Sequence, residues 1–166
     1  MSAANSSIDE NERLLTFIFD DVRYALPISW VVEVAEKDRV TSVPSMARPV
    51  GGVMNWHGEA LPLVATELLL GRDRHEAGAT PFGAATTVGY AQEQILVVAE
   101  KPGSSACLGM PVDSVLGLVE GGGGRDCQAG GSLVIERRPI DGRIVHVLDP
   151  VTLVARGGEV IESATL

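Results

Sequence analysis

Aromatic residues and cysteines are scarce in this chain. Only 4% of the 166 residues are aromatic, so the core must be built mostly from valine, leucine, isoleucine and alanine. The two cysteines, Cys107 and Cys127, lack the spacing of zinc or redox motifs. No set of His, Cys or carboxylate residues has metal-ligand spacing, and no segment resembles the nucleophile turn of a hydrolase. We therefore expect no catalytic site, no metal and no cofactor, while a disulfide between the cysteines stays an open alternative.

Basic residues are also few in comparison with acidic residues. Thirteen basic residues stand against 22 acidic ones, which gives a net charge of −9. Nucleic acids and anionic lipids are bound through positive charge, so this composition disfavours both as partners. The chain also lacks a membrane-spanning apolar run and the basic and apolar start of a secretory signal. These absences predict a cytoplasmic protein with reduced thiols, no nucleic-acid partner and no direct membrane insertion.

The chain does contain a repeated pattern. A strand, a tight turn and a returning apolar strand occur around Gly58 and again around Gly142, at an offset of 142 − 58 = 84 residues. Pro27 and Pro111 follow two similar strands at the same offset, 111 − 27 = 84. Two separate motifs that share one offset indicate a duplicated unit of about half the chain. With two copies only, we expect two small β-barrels packed together.

Turn and strand signals organise the rest of the chain. We predict about ten short strands with two or three helical turns, which is a mostly β protein. The small polar residues at the start favour a disordered tail, and the last residues form a second tail. The predicted parts are a tail at 1–11, subdomain 1 at about 20–88, subdomain 2 at about 89–150 with the chain ends crossing between them, and a tail at 158–166.

Two helix signals follow the returning strands. Asp149 and Pro150 form a strong helix start, because the aspartate can cap and proline needs no partner at that position. The helix is expected over 151–156, and the glycines at 157–158 are expected to end it. In the first half, Thr66 is expected to cap a shorter helix.

In order and spacing, these segments resemble the CheW-like domain family, the adaptors of bacterial chemotaxis arrays. The resemblance covers about residues 12–157, and no single motif is very specific on its own. The segments that carry it are Phe17-Ile18-Phe19, Tyr24-Ala25-Leu26, Trp30-Val31-Val32-Glu33-Val34, Gly52-Val53-Met54-Asn55-Trp56-His57-Gly58, Leu61-Pro62-Leu63-Val64, Leu108-Gly109-Met110-Pro111-Val112-Asp113-Ser114-Val115 and Val147-Leu148-Asp149-Pro150-Val151-Thr152-Leu153.

The resemblance implies a fold and a function. The fold is mostly β: two five-stranded SH3-like β-barrel subdomains, related by internal duplication, with a few short helices and an apolar core between the barrels. The function is a non-enzymatic scaffold that couples chemoreceptors to a CheA-type histidine kinase, in the cytoplasm and at receptor arrays on the inner face of the membrane. One surface would hold the kinase regulatory domain, and an apolar groove between the barrels would hold the receptor cytoplasmic tip.

Two positions depart from the family pattern. Family members usually carry Arg where this chain has His57, and an imidazole is no substitute for a guanidinium at a paired site. They also tend to have a capping Asp where this chain has Ala65. These departures support an alternative: a divergent module that does not bind the kinase and instead binds itself, another CheW-like domain or a dedicated partner. A third hypothesis, a β-barrel enzyme or small-ligand carrier, needs a cluster of converging polar groups that the sequence does not offer.

Eight residues are candidates for partner binding. Val31 and Glu33 match family positions on the partner-facing side of the first barrel, and Trp56 and His57 lie on a hairpin tip where an aromatic anchor would contribute strongly. The groove between the barrels is expected to be lined by Ile95, Leu96, Val115 and Leu118. The alternative for the valine, leucine and isoleucine candidates is an ordinary core position, and the alternative for Trp56 is a cover over a barrel mouth. For Glu33 and His57, the alternative is a solvated side chain.

Overall fold

The structure is a computed structural model that describes residues 6–8, 12–36, 40–42, 50–71, 94–121, 125–127 and 132–164. Short strands dominate it, and two α-helices follow returning strands. In chain order, the elements are β1 (Ser6–Ile8), β2 (Arg13–Phe19), β3 (Val22–Pro27), a 3₁₀ turn (Ile28–Trp30), β4 (Val31–Glu36), β5 (Val40–Ser42), β6 (Val50–Trp56), β7 (Glu59–Val64), α1 (Thr66–Leu69), β8 (Gln94–Ala99), β9 (Ala106–Val112), β10 (Ser114–Glu120), β11 (Arg125–Cys127), β12 (Val134–Ile140), β13 (Arg143–Leu148) and α2 (Pro150–Ala164).

Two curled sheets repeat one strand order. The first runs β10-β2-β3-β13-β12, and the second runs β4-β8-β9-β7-β6 with the short β5 added at its end. Among the described strands, a parallel pairing in each sheet is also repeated: Val147 lies opposite Ala25, and Leu63 lies opposite Gly109. Both partners are displaced by the predicted offset, since 147 − 63 = 84 and 109 − 25 = 84. The duplication and the mostly β fold of two five-stranded curled sheets are confirmed.

The two halves of the chain exchange strands across the predicted division at about residue 88. The hairpin β2–β3 lies in the sheet that holds β10, β12 and β13, and the hairpin β8–β9 lies in the sheet that holds β4, β6 and β7. After each hairpin, which ends near Pro27 or Pro111, the chain crosses to the other sheet. Alternating apolar residues identify a strand, but they do not say which strand it pairs with.

Three apolar clusters form the core of the described part of the chain. Successive residues of β8 show how they are separated: Ile95 and Val97 pack inside the six-stranded sheet, while Leu96 and Val98 join the large cluster between the sheets. This alternation follows from the period of two in a strand. The five-stranded sheet has its own small cluster, with Leu14, Ala25, Val145 and Val147. A strand with two apolar faces, such as β8, therefore packs inside its own sheet on one face and against the other sheet on the opposite face.

A single arginine ties together the outer strands of the five-stranded sheet. Arg138 on β12 donates from Nη1 to the Glu120 carbonyl at 2.9 Å and from Nη2 to the Glu136 carboxylate at 2.8 Å. It also donates to the carbonyl of Gly121. Glu120 is the last residue of β10, and β10 and β12 are the two edge strands of this sheet. The Arg138 guanidinium therefore connects the two edges of the curled sheet.

Parts of both predicted tails, residues 6–8 and 158–164, contain regular structure, and the rest of each tail lies outside the described residues. Residues Ser6–Ile8 pair with Arg125–Cys127. This strand could not be predicted from alternating apolar residues, because backbone hydrogen bonds can form without such a pattern. The helix α2 continues through Gly157 and Gly158 to Ala164, so the predicted stop at 157–158 is wrong. A Cβ at Gly157 would overlap Leu108 Cδ2, which shows that this glycine permits close packing of the helix. None of the helices in the described ranges has the length and apolarity needed to span a bilayer.

Candidate functional site

The hairpin turn between β6 and β7 has the backbone of a tight two-residue turn. His57 and Gly58 both have positive φ, 50° and 86°, as type I′ hairpin turns require. The Asn55 side chain accepts the Gly58 N–H at 2.9 Å. The matching turn of the second half, Asp141 and Gly142, repeats these values at 52° and 75°. The position of His57 at the tip is therefore set by backbone geometry.

Glu33 reaches this turn from another strand. β4 lies at one end of the six-stranded sheet and β6 lies near the other end, so the sheet must curl for them to meet. Trp56 Nε1–H donates to Glu33 Oε2 at 2.9 Å. The Trp56 ring stands edge-on to the His57 imidazole, with 4.6 Å between centroids and an interplanar angle of 84°. This hydrogen bond fixes the direction of the indole ring.

His57 approaches the same carboxylate. Its Nε2 lies 3.8 Å from Glu33 Oε2, and the side chains are 73% and 30% exposed respectively. The structure thus brings Glu33, Trp56 and His57 together as one surface group, which we call the turn cluster. Its acidic, aromatic and imidazole groups are suited to binding another protein, and their arrangement supplies no nucleophile activated by a base.

Val31 is turned away from the turn cluster by a β-bulge. Val31 pairs with Val98 and Glu33 pairs with Val97, so Val32 has no partner across the ladder. Val31 packs against the core between the sheets, and Val32 is exposed. The family resemblance points to Val31 and Glu33, and a bulge at Val32 is not visible in the sequence alone.

The second half repeats this bulge. Leu116 lies between Val115 and Gly117 at a register shift and is exposed, and it matches Val32, since 116 − 32 = 84. The shared offset of two apolar residues is the one sequence signal that could have identified them. Bulges re-aim side chains, so the duplicated fold presents an apolar side chain outward at two matching positions.

The four residues predicted for the inter-barrel groove do not share one environment. Ile95 and Leu96 are 1% and 0% exposed, which favours the alternative of an ordinary core position, because β8 is buried on both faces. Val115 is half-buried against the core between the sheets, and its backbone N–H donates to Gln94 Oε1 at 2.7 Å. Leu118 is 48% exposed on the outer strand β10. Leu118 is therefore the most accessible of the four.

Comparison with known proteins relates this geometry to a family. The sequence model of the CheW-like domain matches residues 13–157. The chain belongs to the CheW-like domain family. The chemotaxis protein CheW of Helicobacter pylori is 34% identical over 73 residues, which span 42% of this chain and 44% of that protein. The chain thus aligns with less than half the length of this curated relative.

A solved structure shows the same CheW-like fold. The scaffolding protein TtCheW of Thermoanaerobacter tengcongensis superposes with a TM-score of 0.56 and 16% sequence identity. The superposition covers 83% of this chain and 88% of that protein. At this identity the likeness concerns the fold.

This CheW-like domain starts its two helices differently. Asp149 caps α2, because its Oδ1 accepts the Val151 N–H at 3.0 Å and its Oδ2 accepts the Thr152 hydroxyl at 3.0 Å. The matching residue of the first half is Ala65, since 149 − 65 = 84, and α1 has no side-chain cap. The predicted cap by Thr66 is wrong: its hydroxyl donates to the Pro111 carbonyl instead. The start of α1 therefore lacks the bonds that stabilise α2.

Cys107 is a half-buried free cysteine on β9. Burial raises the pKa of the Cys107 thiol to about 11, and the nearby charge of Glu100 adds to the effect. The thiol therefore stays protonated at neutral pH and is a poor nucleophile. Within the described ranges, no three His, Cys, Asp or Glu side chains are grouped so that they could hold a metal ion.

Proposed function

We propose that this chain is a non-enzymatic adaptor that couples chemoreceptors to a chemotaxis histidine kinase. The CheW-like match over residues 13–157 supports the adaptor role, as does the name of the Helicobacter pylori relative. The function needs no chemistry, since several contacts per surface can hold two partners in a fixed geometry. We infer that it acts in the cytoplasm, at receptor arrays.

The observation that carries the kinase half of this proposal is the turn cluster. A tryptophan with a fixed ring, an exposed histidine and a carboxylate meet at one hairpin tip, and the exposed Val32 directly precedes Glu33 on β4. Tryptophan is among the residues most enriched where interface energy is concentrated. The turn cluster is therefore assigned to the kinase regulatory domain, which is itself a CheW-like domain in this family.

Isothermal titration calorimetry of the full chain against the kinase regulatory domain tests this assignment. Trp56→Ala is expected to weaken binding by about 2 kcal/mol, which is typical of a dominant interface residue, and His57→Ala is expected to weaken it less. Ile144→Ala is the matched control, because Ile144 is an exposed apolar residue on the other sheet. Equal affinity of the Trp56 variant and the control, with unchanged thermal stability, would refute the site.

The receptor half of the proposal concerns the face of the outer strand β10. Leu118 is exposed there, and Val115 is half-buried at the start of the same strand. We infer that they contact the apolar side of the receptor tip helices. Leu118→Asp is expected to abolish co-sedimentation with a receptor cytoplasmic fragment while kinase binding persists. Retained co-sedimentation would place the receptor elsewhere.

A second candidate function is a CheW-like module that binds itself or a dedicated partner and not the kinase. His57 and Ala65 favour it, because both depart from the residues expected of the family. A pull-down on the full chain separates the two functions: recovery of receptor and kinase together excludes the second, and recovery of neither supports it.

A further inference from the structure

Two exposed leucines lie on the edge strand β10. Leu116 and Leu118 are 44% and 48% exposed. In the described part of the five-stranded sheet, β10 pairs with β2 along one edge, and no strand lies along its other edge. A strand with one neighbour opens more readily than a central strand, and its free edge can accept a foreign strand. The position of the two leucines therefore depends on what holds the free edge of β10.

Arg138 holds the end of β10. Its Nη1 donates to the Glu120 carbonyl at 2.9 Å, and its Nη2 donates to the Gly121 carbonyl. The same Nη2 donates to Glu136 Oε2 at 2.8 Å, which fixes the plane of the guanidinium. The Arg138 and Glu136 side chains are only 19% and 17% exposed, so water screens these charge-assisted bonds less than it screens surface pairs.

The sequence beside this contact explains why the end of β10 needs a side chain to hold it. Three more glycines follow Gly121 in the sequence. Glycine loses more conformational freedom on folding than any other residue, so a strand that leads into a glycine tract has little local support at its end. The two carbonyl contacts of Arg138 supply that support from the opposite edge strand, β12.

Gln94 holds the start of β10 from the other sheet. Its Oε1 accepts the Val115 N–H at 2.7 Å. Gln94 is the first residue of β8, which belongs to the six-stranded sheet. An N–H that is bonded to a side chain is not available to an added strand, so this contact also closes part of the edge. Leu116 and Leu118 therefore lie between two side-chain contacts that come from two different strands.

We propose that Gln94 and Arg138 are positioning residues for the receptor, because they clamp the two ends of β10 and hold Leu116 and Leu118 in place for an apolar partner surface. A binding surface that is ordered before the partner arrives loses less conformational entropy on binding. Neither clamping side chain needs to touch the receptor. The receptor part of this proposal rests on the proposed function, whereas the clamping of β10 does not.

Amide hydrogen exchange of the full chain without a partner tests the clamp by Arg138. Arg138→Lys keeps the positive charge but loses the planar fork that reaches two carbonyls and a carboxylate. Exchange at residues 116–120 is expected to become about tenfold faster, because hydrogen bonds to charged groups contribute on that scale. Arg137→Lys is the matched control, since Arg137 is the exposed neighbour on β12, and it should leave the exchange unchanged. Native exchange rates in Arg138→Lys would overturn the proposal.

The clamp by Gln94 is tested in the same way. Gln94→Ala removes the acceptor of the Val115 N–H, and exchange of the Val115 amide is expected to become about threefold faster or more. Gln94→Glu keeps an acceptor oxygen and should retain the native rate. An unchanged rate in Gln94→Ala would remove Gln94 from the proposal.

Binding to a receptor cytoplasmic fragment and to the kinase regulatory domain tests the role in the receptor contact. Arg138→Lys should weaken receptor binding by about three- to tenfold. Its affinity for the kinase domain should stay native, because the turn cluster lies on the other sheet. Native receptor affinity together with faster exchange, or an equal loss of both partners, would refute the positioning role. If the native chain does not bind the receptor fragment, the receptor half of the proposed function fails, and the exchange rates still decide whether Arg138 and Gln94 clamp β10.

Discussion

At the scale of single residues, Asp149 and Ala65 show what one side chain does for a helix start. Both follow the returning strand of a repeat, yet only Asp149 caps its helix. Asp149 is buried, and its two oxygens satisfy the Val151 N–H and the Thr152 hydroxyl. The loss of such a side chain removes a cap and leaves buried donors without partners.

We expect Asp149→Ala to lower the free energy of unfolding by about 1–3 kcal/mol, measured by urea denaturation. Asp149→Asn keeps one acceptor for the Val151 N–H and should cost less than half as much. Equal stability of the alanine variant and the native chain would show that the cap contributes nothing.

The reactivity of the Cys107 thiol is expected to depend strongly on pH. Because burial and the charge of Glu100 raise its thiol pKa to about 11, little thiolate exists at pH 8. In a Cys127→Ser variant, the reaction of Cys107 with a disulfide reagent should be slow at pH 8 and should accelerate about tenfold per pH unit toward pH 11. Rapid labelling of the folded chain at pH 8 would contradict the assignment.

The raised pKa of Cys107 also makes the stability of the fold depend on pH. The thiol of the unfolded chain loses its proton at lower pH than the thiol of the folded chain. The contribution of Cys107 to stability is therefore complete below about pH 9 and is lost as the pH rises toward 11.

At the scale of elements, α2 depends on a glycine for its contact with β9. A Cβ at Gly157 would overlap Leu108 Cδ2 and lie 3.6 Å from Leu69 Cδ2, whereas a Cβ at Gly158 would meet nothing. Both glycines lie inside the helix. They differ, therefore, in packing and hardly at all in helix propensity.

Gly157→Ala and Gly158→Ala form a matched pair for calorimetric unfolding. Gly158→Ala is expected to stabilise the chain by up to about 1 kcal/mol, since alanine favours helices over glycine. Gly157→Ala should be less stable than Gly158→Ala by about 1–3 kcal/mol, because the core must accommodate an extra methyl group. If the two variants are equally stable, the close approach of α2 to Leu108 is not real.

Some elements could be predicted from the sequence, and others could not. The turns at His57-Gly58 and Asp141-Gly142 follow from local backbone preferences, and so does the cap by Asp149. The continuation of α2 beyond Gly157 depends on the distant residue Leu108, which no local pattern reveals. Likewise, the hydrogen bond that joins Glu33 to Trp56 requires the curl of a whole sheet. The three residues of the turn cluster could be selected as candidates from the sequence, but the contacts between them could not be predicted.

At the scale of the whole molecule, the exchange of strands makes the two halves depend on each other. The sheet that holds β2 and β3 takes its other three strands from the second half of the chain. The sheet that holds β8 and β9 takes β4, β6 and β7 from the first half. Neither half can complete a sheet or cover its apolar faces alone.

We therefore expect fragments 1–88 and 89–166 to be unfolded separately and to form a folded complex when they are mixed. Circular dichroism of each fragment and of the mixture measures this, with the intact chain as the reference. A fragment that folds alone with a cooperative thermal transition would contradict the exchange of strands.

We propose that this duplicated CheW-like fold holds two different proteins at once. The most direct measurement is a capture experiment, in which an immobilised receptor cytoplasmic fragment is mixed with the kinase, with and without this chain. We predict that the kinase is retained only when the chain is present, and that Trp56→Ala loses the kinase while the chain itself stays on the receptor. Equal retention of the kinase with and without the chain would contradict the account.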